Sequence, residues 1–111
     1  MLYRLTVIAL VAALAAPAAG QAGDLAAGRK KAAKCKVCHG LDGVAKVPQA
    51  PNIGGESKLY LKKQLKAFRS GDRQDLQMST VAKGLTDEDI DDLATYYSAI
   101  EVEHRVPEIP E

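Results

Sequence analysis

The sequence predicts a small all-α domain, for three reasons. Three segments carry helix-capping residues together with strong helix formers or an apolar stripe. No segment shows a strand-rich pattern, and the stretch between the first two helices is too rich in Gly and Pro to be regular throughout. The chain has 111 residues, enough for one domain at most. With one Phe and no Trp, it has little aromatic mass for a core, so we expect something else to fill that core.

Residues 1–22 are predicted to be a secretory signal peptide and not part of the fold. Arg4 precedes an apolar run interrupted only by Thr6, and small residues follow that run. The run covers about 12 residues, whereas a membrane-spanning helix needs roughly 20, although an uncleaved anchor is the alternative. Cleavage after Gly20 or after Ala22 would leave small residues at the positions that the signal peptidase reads.

The rest of the chain divides into one domain, 23–100, and a C-terminal tail, 101–111. The tail carries two prolines and four glutamates and is predicted to be extended. Export through a cleaved signal predicts a periplasmic location with no stable membrane insertion.

The first predicted helix covers 24–38, with Asp24 as its N-cap and several alanines inside it. Gly28 lowers the helix propensity of this segment, which predicts that another helix approaches closely there. The loop at 40–56 follows, and we expect it to pack against a flat cofactor.

The second and third helices have clearer ends. The second covers 57–70, with its first serine as N-cap and Gly71 just beyond its last residue. The third covers 86–100, where Thr86 and Asp89 form a short capping box. Their apolar stripes are formed by Leu61, Leu65 and Phe68 in the second helix and by Ile90, Leu93, Ala94, Tyr97 and Ile100 in the third.

The most specific motif is Cys-Lys-Val-Cys-His at 35–39, which matches the C-x-x-C-H pattern of c-type haem attachment. Cys35 and Cys38 can form thioethers to the two vinyl groups on one edge of a haem. His39 is then held close to the iron and can ligate it through a ring nitrogen. The motif therefore predicts one covalently bound haem.

The sequence supports other functions of this motif less well. A thioredoxin-like dithiol would need a βαβ pattern, which the sequence lacks. A zinc site would need two further ligands, but His104 is the only other histidine and there is no third cysteine. A disulfide between the two cysteines would close a very small loop and add little stability. A chance match would make the export signal a coincidence as well.

The sixth iron position has two candidate ligands. Met78 is the one methionine left after removal of the signal peptide, and it lies in a polar segment, 73–81, that is predicted to be a loop. A lone methionine is usually core filler, but His/Met ligation is the pairing of electron-transfer cytochromes c. His104, in the charged tail, would give bis-histidine ligation instead. We favour Met78.

Further segments support the haem assignment: APNIGG at 50–55, YLKKQLKAFRSGDR at 60–73 and LTDEDIDDLATYYSAI at 85–100. With the motif and Met78, they make the chain resemble class I c-type cytochromes, in particular one haem domain of the bacterial cytochrome c-4 and c-553 group. The resemblance implies a class I cytochrome c fold, in which three main helices and loops wrap around one covalently bound haem c. Proteins of the c-4 group carry two such domains, whereas this chain carries one.

The resemblance also implies roles for individual residues. Cys35 and Cys38 would bind haem covalently, and His39 and Met78 would be the axial ligands of the iron. The backbone carbonyl of Pro51 would orient the His39 ring. Two further contacts are implied: Gly28 would cross the third helix near Leu93 and Tyr96, and Arg73 would either meet a haem propionate or stay solvated.

The function implied is that of a periplasmic one-electron carrier that is not itself an enzyme. The alternative is a cytochrome subunit of a periplasmic dehydrogenase or oxidase complex. A haem peroxidase or ligand sensor is less favoured, because a bound Met78 would block the iron. The chain would act as a monomer or as a subunit of such a complex.

Charge is uneven along the chain. Residues 24–70 contain nine Lys and two Arg against three acids, whereas 71–111 contain eleven acids against three basic residues. A basic ring around the haem edge would steer docking to acidic redox partners, although an ordinary solvated surface would show the same composition. A net charge of +1 and export argue against nucleic-acid binding.

Overall fold

The computed structural model describes residues 23–111, so the predicted signal peptide lies outside the described residues. Within 23–111 the chain forms helices, turns and loops and no β-strand, which confirms the all-α prediction. None of these helices is long and apolar enough to cross a membrane. In chain order the elements are α1 (Leu25–Lys31), a 3-10 turn (Ala32–Lys34), α2 (Lys36–His39), α3 (Lys58–Ser70), α4 (Leu76–Lys83) and α5 (Asp87–Ser98).

The N-terminal and C-terminal helices, α1 and α5, cross at a glycine. A Cβ atom on the buried Gly28 would lie 2.7 Å from the Cβ of Tyr96, far inside normal contact. The close approach predicted for Gly28 is therefore present, and a side chain larger than hydrogen would push the two helices apart.

A buried carboxylate fastens the same crossing. Asp92 on α5 accepts hydrogen bonds from the backbone N–H of Asp24 (2.7 Å) and from the ammonium of Lys31 (2.6 Å). The hydrogen bond to Lys31 lowers the pKa of Asp92, and the same bond raises the pKa of Lys31. The two donors compensate the buried charge of Asp92. The ion pair of Asp92 with Lys31 therefore holds α1 and α5 in one relative arrangement.

The prediction of one continuous helix over 24–38 was wrong. The chain tightens into a 3-10 turn after Lys31, and the N–H of Cys35 donates to the carbonyl of Ala32 at 2.9 Å. A 3-10 turn stacks residues i and i+3 above one another. Ala32 and Cys35 accordingly both pack against the same core cluster.

Helices α3 and α5 begin and end close to their predicted limits. The hydroxyl of Ser57 caps α3 by accepting from the N–H of Tyr60, and Gly71 ends it with φ of +90°. Thr86 and Asp89 form a complete capping box at the start of α5. The core lies between these helices and α1; its buried members are Ala32, Leu61, Leu85, Ile90, Leu93, Ala94 and Tyr97.

The prediction of a loop around Met78 was also wrong, because the chain forms α4 there. The carboxylate of Asp75 accepts from the N–H groups of Gln77 (2.9 Å) and Met78 (2.8 Å). Such an N-cap stabilises the first turn of a helix. The side chain of Leu76 is 90% exposed, and the apolar face of α4 is formed by Met78, Val81 and Ala82, which lie at helical spacing.

The predicted loop between α2 and α3 folds back on itself. The carbonyl of Gly43 accepts from the N–H groups of Ile53 (2.8 Å) and Gly54 (3.1 Å). This return brings Pro51 back to the end of α2. The tail at 101–111 has no secondary structure, and all its residues are exposed.

Candidate functional site

The two cysteines of the C-x-x-C-H motif lie on one turn of α2. Cys35 is the residue before the helix, and the N–H of His39 donates to its carbonyl at 2.9 Å. Both thiols are free, and burial raises the pKa of Cys35. Residues three apart on a helix share a face, so both sulfur atoms are available to one flat partner.

The imidazole of His39 is buried and has a fixed orientation. Its Nδ1 lies 2.9 Å from the backbone carbonyl oxygen of Pro51, and the residue is 7% exposed. A carbonyl can only accept a hydrogen bond, so Nδ1 carries the proton. The lone pair is then on Nε2, the atom through which neutral histidine binds a metal when its other nitrogen is held this way.

Three hydrogen bonds connect the motif and the two residues after it to other parts of the chain. The hydroxyl of Tyr97 donates to the carbonyl of Gly40 (2.9 Å), and the hydroxyl of Tyr96 donates to the carbonyl of Leu41 (2.6 Å). The N–H of Lys46 donates to the carbonyl of Cys38 (2.8 Å). These tie the motif to α5 and to the return loop.

The roles of the two tyrosine hydroxyls were not predicted from the sequence. The sequence did contain a signal, because Tyr97 lies on the predicted apolar face of the third helix and a buried tyrosine hydroxyl needs a hydrogen-bond partner. Which carbonyl it meets depends on the packing of α5 against the end of α2, and no local pattern encodes that.

The start of α4 lies next to the motif. The Sγ of Cys38 is 3.9 Å from the amide oxygen of Gln77, the residue before Met78. Met78 itself is partly buried in the first turn of α4. The structure thus brings the motif, Pro51 and the segment of Met78 into one region.

The other two residues singled out from the sequence have different surroundings. His104 is exposed in the tail. The exposed Arg73 stacks its guanidinium 4.5 Å from the ring centre of Phe68 and donates to the amide oxygen of Gln64 at 2.7 Å. Arg73 is therefore engaged with α3.

The donor set fits a covalently bound haem. Two free thiols on one helical turn, an imidazole with its Nε2 lone pair available, and a thioether in the adjoining helix are what such a group would use. Within 23–111, no three His, Cys, Asp or Glu side chains gather into a cluster that could hold a metal ion. The zinc site considered from the sequence would need such a cluster.

Many of the positive charges around the site are already paired. Lys62 lies 2.6 Å from a carboxylate oxygen of Asp91, and Lys31 bridges Asp89 and Asp92. Lys34 and Lys36 flank the motif, are exposed, and have no ion-pair partner among the residues that the structure describes. Two unpaired positive charges therefore flank the two cysteines.

Comparison with known proteins agrees with this geometry. The family model "Cytochrome c" matches residues 25–99. Cytochrome c-554(548) of Halomonas halodenitrificans is 47% identical over 83 residues, which cover 72% of this chain and 100% of that protein. A protein of Thiomonas intermedia named thiosulfate dehydrogenase electron acceptor is 39% identical over 101 residues, covering 87% of this chain and 44% of that protein.

A solved structure supports the fold as well. The crystal structure of reduced recombinant cytochrome c4 from Pseudomonas stutzeri superposes with a TM-score of 0.67 at 36% identity, covering 72% of this chain and 47% of that chain. The chain thus spans the whole of the Halomonas protein but less than half of the Thiomonas and Pseudomonas proteins.

Proposed function

This chain belongs to the cytochrome c family, and we propose that it carries single electrons between periplasmic redox proteins through a haem ligated by His39 and Met78. Members of the family bind haem c covalently, and the iron supplies a one-electron couple when the haem is bound. The observation that carries the proposal is the 2.9 Å contact between Nδ1 of His39 and the carbonyl of Pro51, within a C-x-x-C-H motif.

In this proposal each motif residue has one task. Cys35 and Cys38 would form the thioethers, and His39 would present Nε2 to the iron. The carbonyl of Pro51 keeps the imidazole ring in one orientation in both oxidation states. A carrier needs this rigidity, because every ligand movement between the two states would slow electron transfer.

Met78 is proposed as the distal ligand. The contact between Cys38 and Gln77 supports this, since it brings the first turn of α4 to the motif. A neutral thioether favours ferrous iron and raises the reduction potential. A bound thioether also leaves no open iron position for substrate, which is the reason to propose a carrier over a peroxidase or ligand sensor.

The ligand assignment is tested by Met78→Ala, with His104→Ala as the matched control. Met78→Ala should lower the reduction potential and allow carbon monoxide to bind the ferrous iron. His104→Ala should leave both properties at their wild-type values. Loss of wild-type behaviour in His104→Ala and not in Met78→Ala would contradict the proposal and favour bis-histidine ligation.

A second candidate function rests on the Thiomonas relative, whose name describes an electron acceptor of thiosulfate dehydrogenase. By this reading the chain would accept electrons from a periplasmic dehydrogenase, either by diffusion or as a bound subunit. Purified thiosulfate dehydrogenase with thiosulfate should then reduce the ferric protein in stopped-flow absorption. Reduction no faster than by thiosulfate alone would exclude this donor and leave the general carrier function intact.

Periplasmic location is part of the proposal and depends on the predicted signal peptide. Mass spectrometry of the protein from a periplasmic fraction should give a chain that begins at Gln21 or Gly23, with the mass of one haem added. A full-length chain in the membrane fraction would show an uncleaved anchor instead.

A further inference from the structure

Helix α4 begins with a reciprocal set of hydrogen bonds between Asp75 and the residues after it. The Asp75 carboxylate accepts from the N–H groups of Gln77 (2.9 Å) and Met78 (2.8 Å). In return the N–H of Asp75 donates to the hydroxyl of Ser79 (3.0 Å), and the N–H of Ser79 donates to the carbonyl of Asp75 (2.9 Å). These hydrogen bonds include the N–H of Met78 and link Asp75 and Ser79, which lie on either side of it.

Beyond this cap, few buried side chains hold the turn, although α4 packs along α3. The helix α4 has eight residues, and helices of this length are marginal without capping or packing. Among the described residues of α4, Ala82 alone is buried, one turn beyond Met78. Leu76, at the first position, is 90% exposed. Because the first turn buries so little, its cap contributes to the position of Met78.

We propose that Asp75 is a positioning residue for the distal ligand: by capping α4 at Gln77 and Met78, it keeps the Met78 thioether at the iron. This inference depends on the proposed His39/Met78 ligation. Asp75 would act on the ligand through the backbone N–H groups of Gln77 and Met78. Its removal would let the first turn fray, so that a larger fraction of molecules has the thioether dissociated at any moment.

The size of the effect follows from the strength of an N-cap. Loss of an aspartate cap typically shifts a helix equilibrium by about fivefold, so the fraction of thioether-dissociated protein should rise about fivefold in Asp75→Ala. Carbon monoxide binds only the dissociated form, so its apparent affinity for the ferrous protein should rise by the same factor.

The test compares three variants of the haem-loaded protein. Asp75→Ala should bind carbon monoxide about fivefold more tightly than wild type. It should also lose the weak long-wavelength band of ferric iron–methionine ligation at a lower temperature. Asp75→Asn should behave like wild type, because asparagine caps a helix about as well as aspartate. Asp72→Asn removes a nearby exposed charge and should also behave like wild type. Far-UV circular dichroism at room temperature confirms that all three are folded.

Two results would overturn the inference. Wild-type carbon monoxide affinity and band stability in Asp75→Ala would show that the cap does not position Met78. Equal effects in Asp75→Asn and Asp75→Ala would show that charge, not capping, is responsible. Absence of the long-wavelength band in the wild-type protein is a different outcome, because it would remove Met78 as ligand and contradict the proposed function itself.

Discussion

The hydroxyl of Tyr97 donates a buried hydrogen bond of 2.9 Å to the backbone carbonyl of Gly40, which lies 57 residues earlier in the chain. Gly40 directly follows His39, so this bond connects the last helix to the residue after the proposed proximal ligand. Burial raises the pKa of Tyr97, which keeps the hydroxyl protonated and able to donate. The C-terminal helix is therefore part of what holds the haem motif in place.

Replacement of Tyr97 by phenylalanine should lower the free energy of unfolding by about 1–2 kcal/mol, because the buried carbonyl of Gly40 would lose its donor. Chemical denaturation of the haem-loaded protein measures this. Tyr96→Phe is the matched control: its hydroxyl bond to Leu41 is exposed, so water can replace it and the loss should be smaller. Equal losses in the two variants would contradict the proposed importance of the Tyr97 bond.

Gly28→Ala should be destabilising by about 1–3 kcal/mol, since the added methyl group would overpack the crossing of α1 and α5. Thermal unfolding followed by circular dichroism gives the value. Gly84→Ala provides the comparison, because its backbone φ is −85° and its new Cβ would be 3.9 Å from the nearest atom, the carbonyl oxygen of Val81. A stable Gly28→Ala protein would show that the two helices can separate at little cost.

The stability of the fold should fall in acid partly through Asp89. Its N-cap hydrogen bond from the Thr86 N–H, and then its bond to Lys31, lower its pKa from 3.8 to about 2. Because the folded pKa is the lower one, this contribution is complete above pH 4 or so and is lost as the pH falls toward about 2. In Asp89→Asn, the difference in melting temperature between pH 5 and pH 2.5 should be smaller than in wild type.

Glu88→Gln is the control for that measurement, since it removes an exposed neighbouring acid in the same helical turn. It should keep the wild-type dependence on pH. If Asp89→Asn and wild type lose stability in parallel over this range, the hydrogen bonds to Asp89 do not contribute to acid unfolding.

Electrostatic docking to an acidic partner should depend on the unpaired lysines beside the motif. Lys36→Gln should slow reduction by an acidic redox protein at low ionic strength, on the order of twofold, and should weaken the salt dependence of the rate. Lys62→Gln should change the rate less, because Asp91 already offsets that charge at 2.6 Å. Stopped-flow absorption at several salt concentrations separates the two. Identical salt dependence in wild type and both variants would remove the docking hypothesis.

The parts of the fold that the sequence predicted well are those with strong local signals. Ser57 and Gly71 mark the ends of α3, and Thr86 with Asp89 marks the start of α5, because capping is decided within one turn. The close crossing at Gly28 followed from a glycine placed inside a helical segment.

Two helix predictions were wrong, one at the break after Lys31 and one at α4. The break after Lys31 places both Ala32 and Cys35 against the core, and an alanine-rich segment gives no local sign of it. In α4, two local signals were present and were missed: the N-cap Asp75, and the helical spacing of Met78, Val81 and Ala82.

The residues of the candidate site also differ in whether the sequence alone could reveal them. The motif at 35–39 is continuous in sequence, so its residues could be named from the chain alone. The approach of Pro51 to His39 was suggested by family resemblance, because a carbonyl leaves no trace in a sequence pattern. The support from Tyr96 and Tyr97 requires α5 to reach the end of α2, and only the folded chain brings those parts together.

The absorption spectrum of the ferric protein tests most directly whether one haem is bound with His39 and Met78 as the iron ligands. We expect a low-spin spectrum with the weak long-wavelength band of iron–methionine ligation, and loss of that band in Met78→Ala. A haem-loaded wild-type protein without that band would contradict this expectation, since the iron would then be open or ligated by a second histidine.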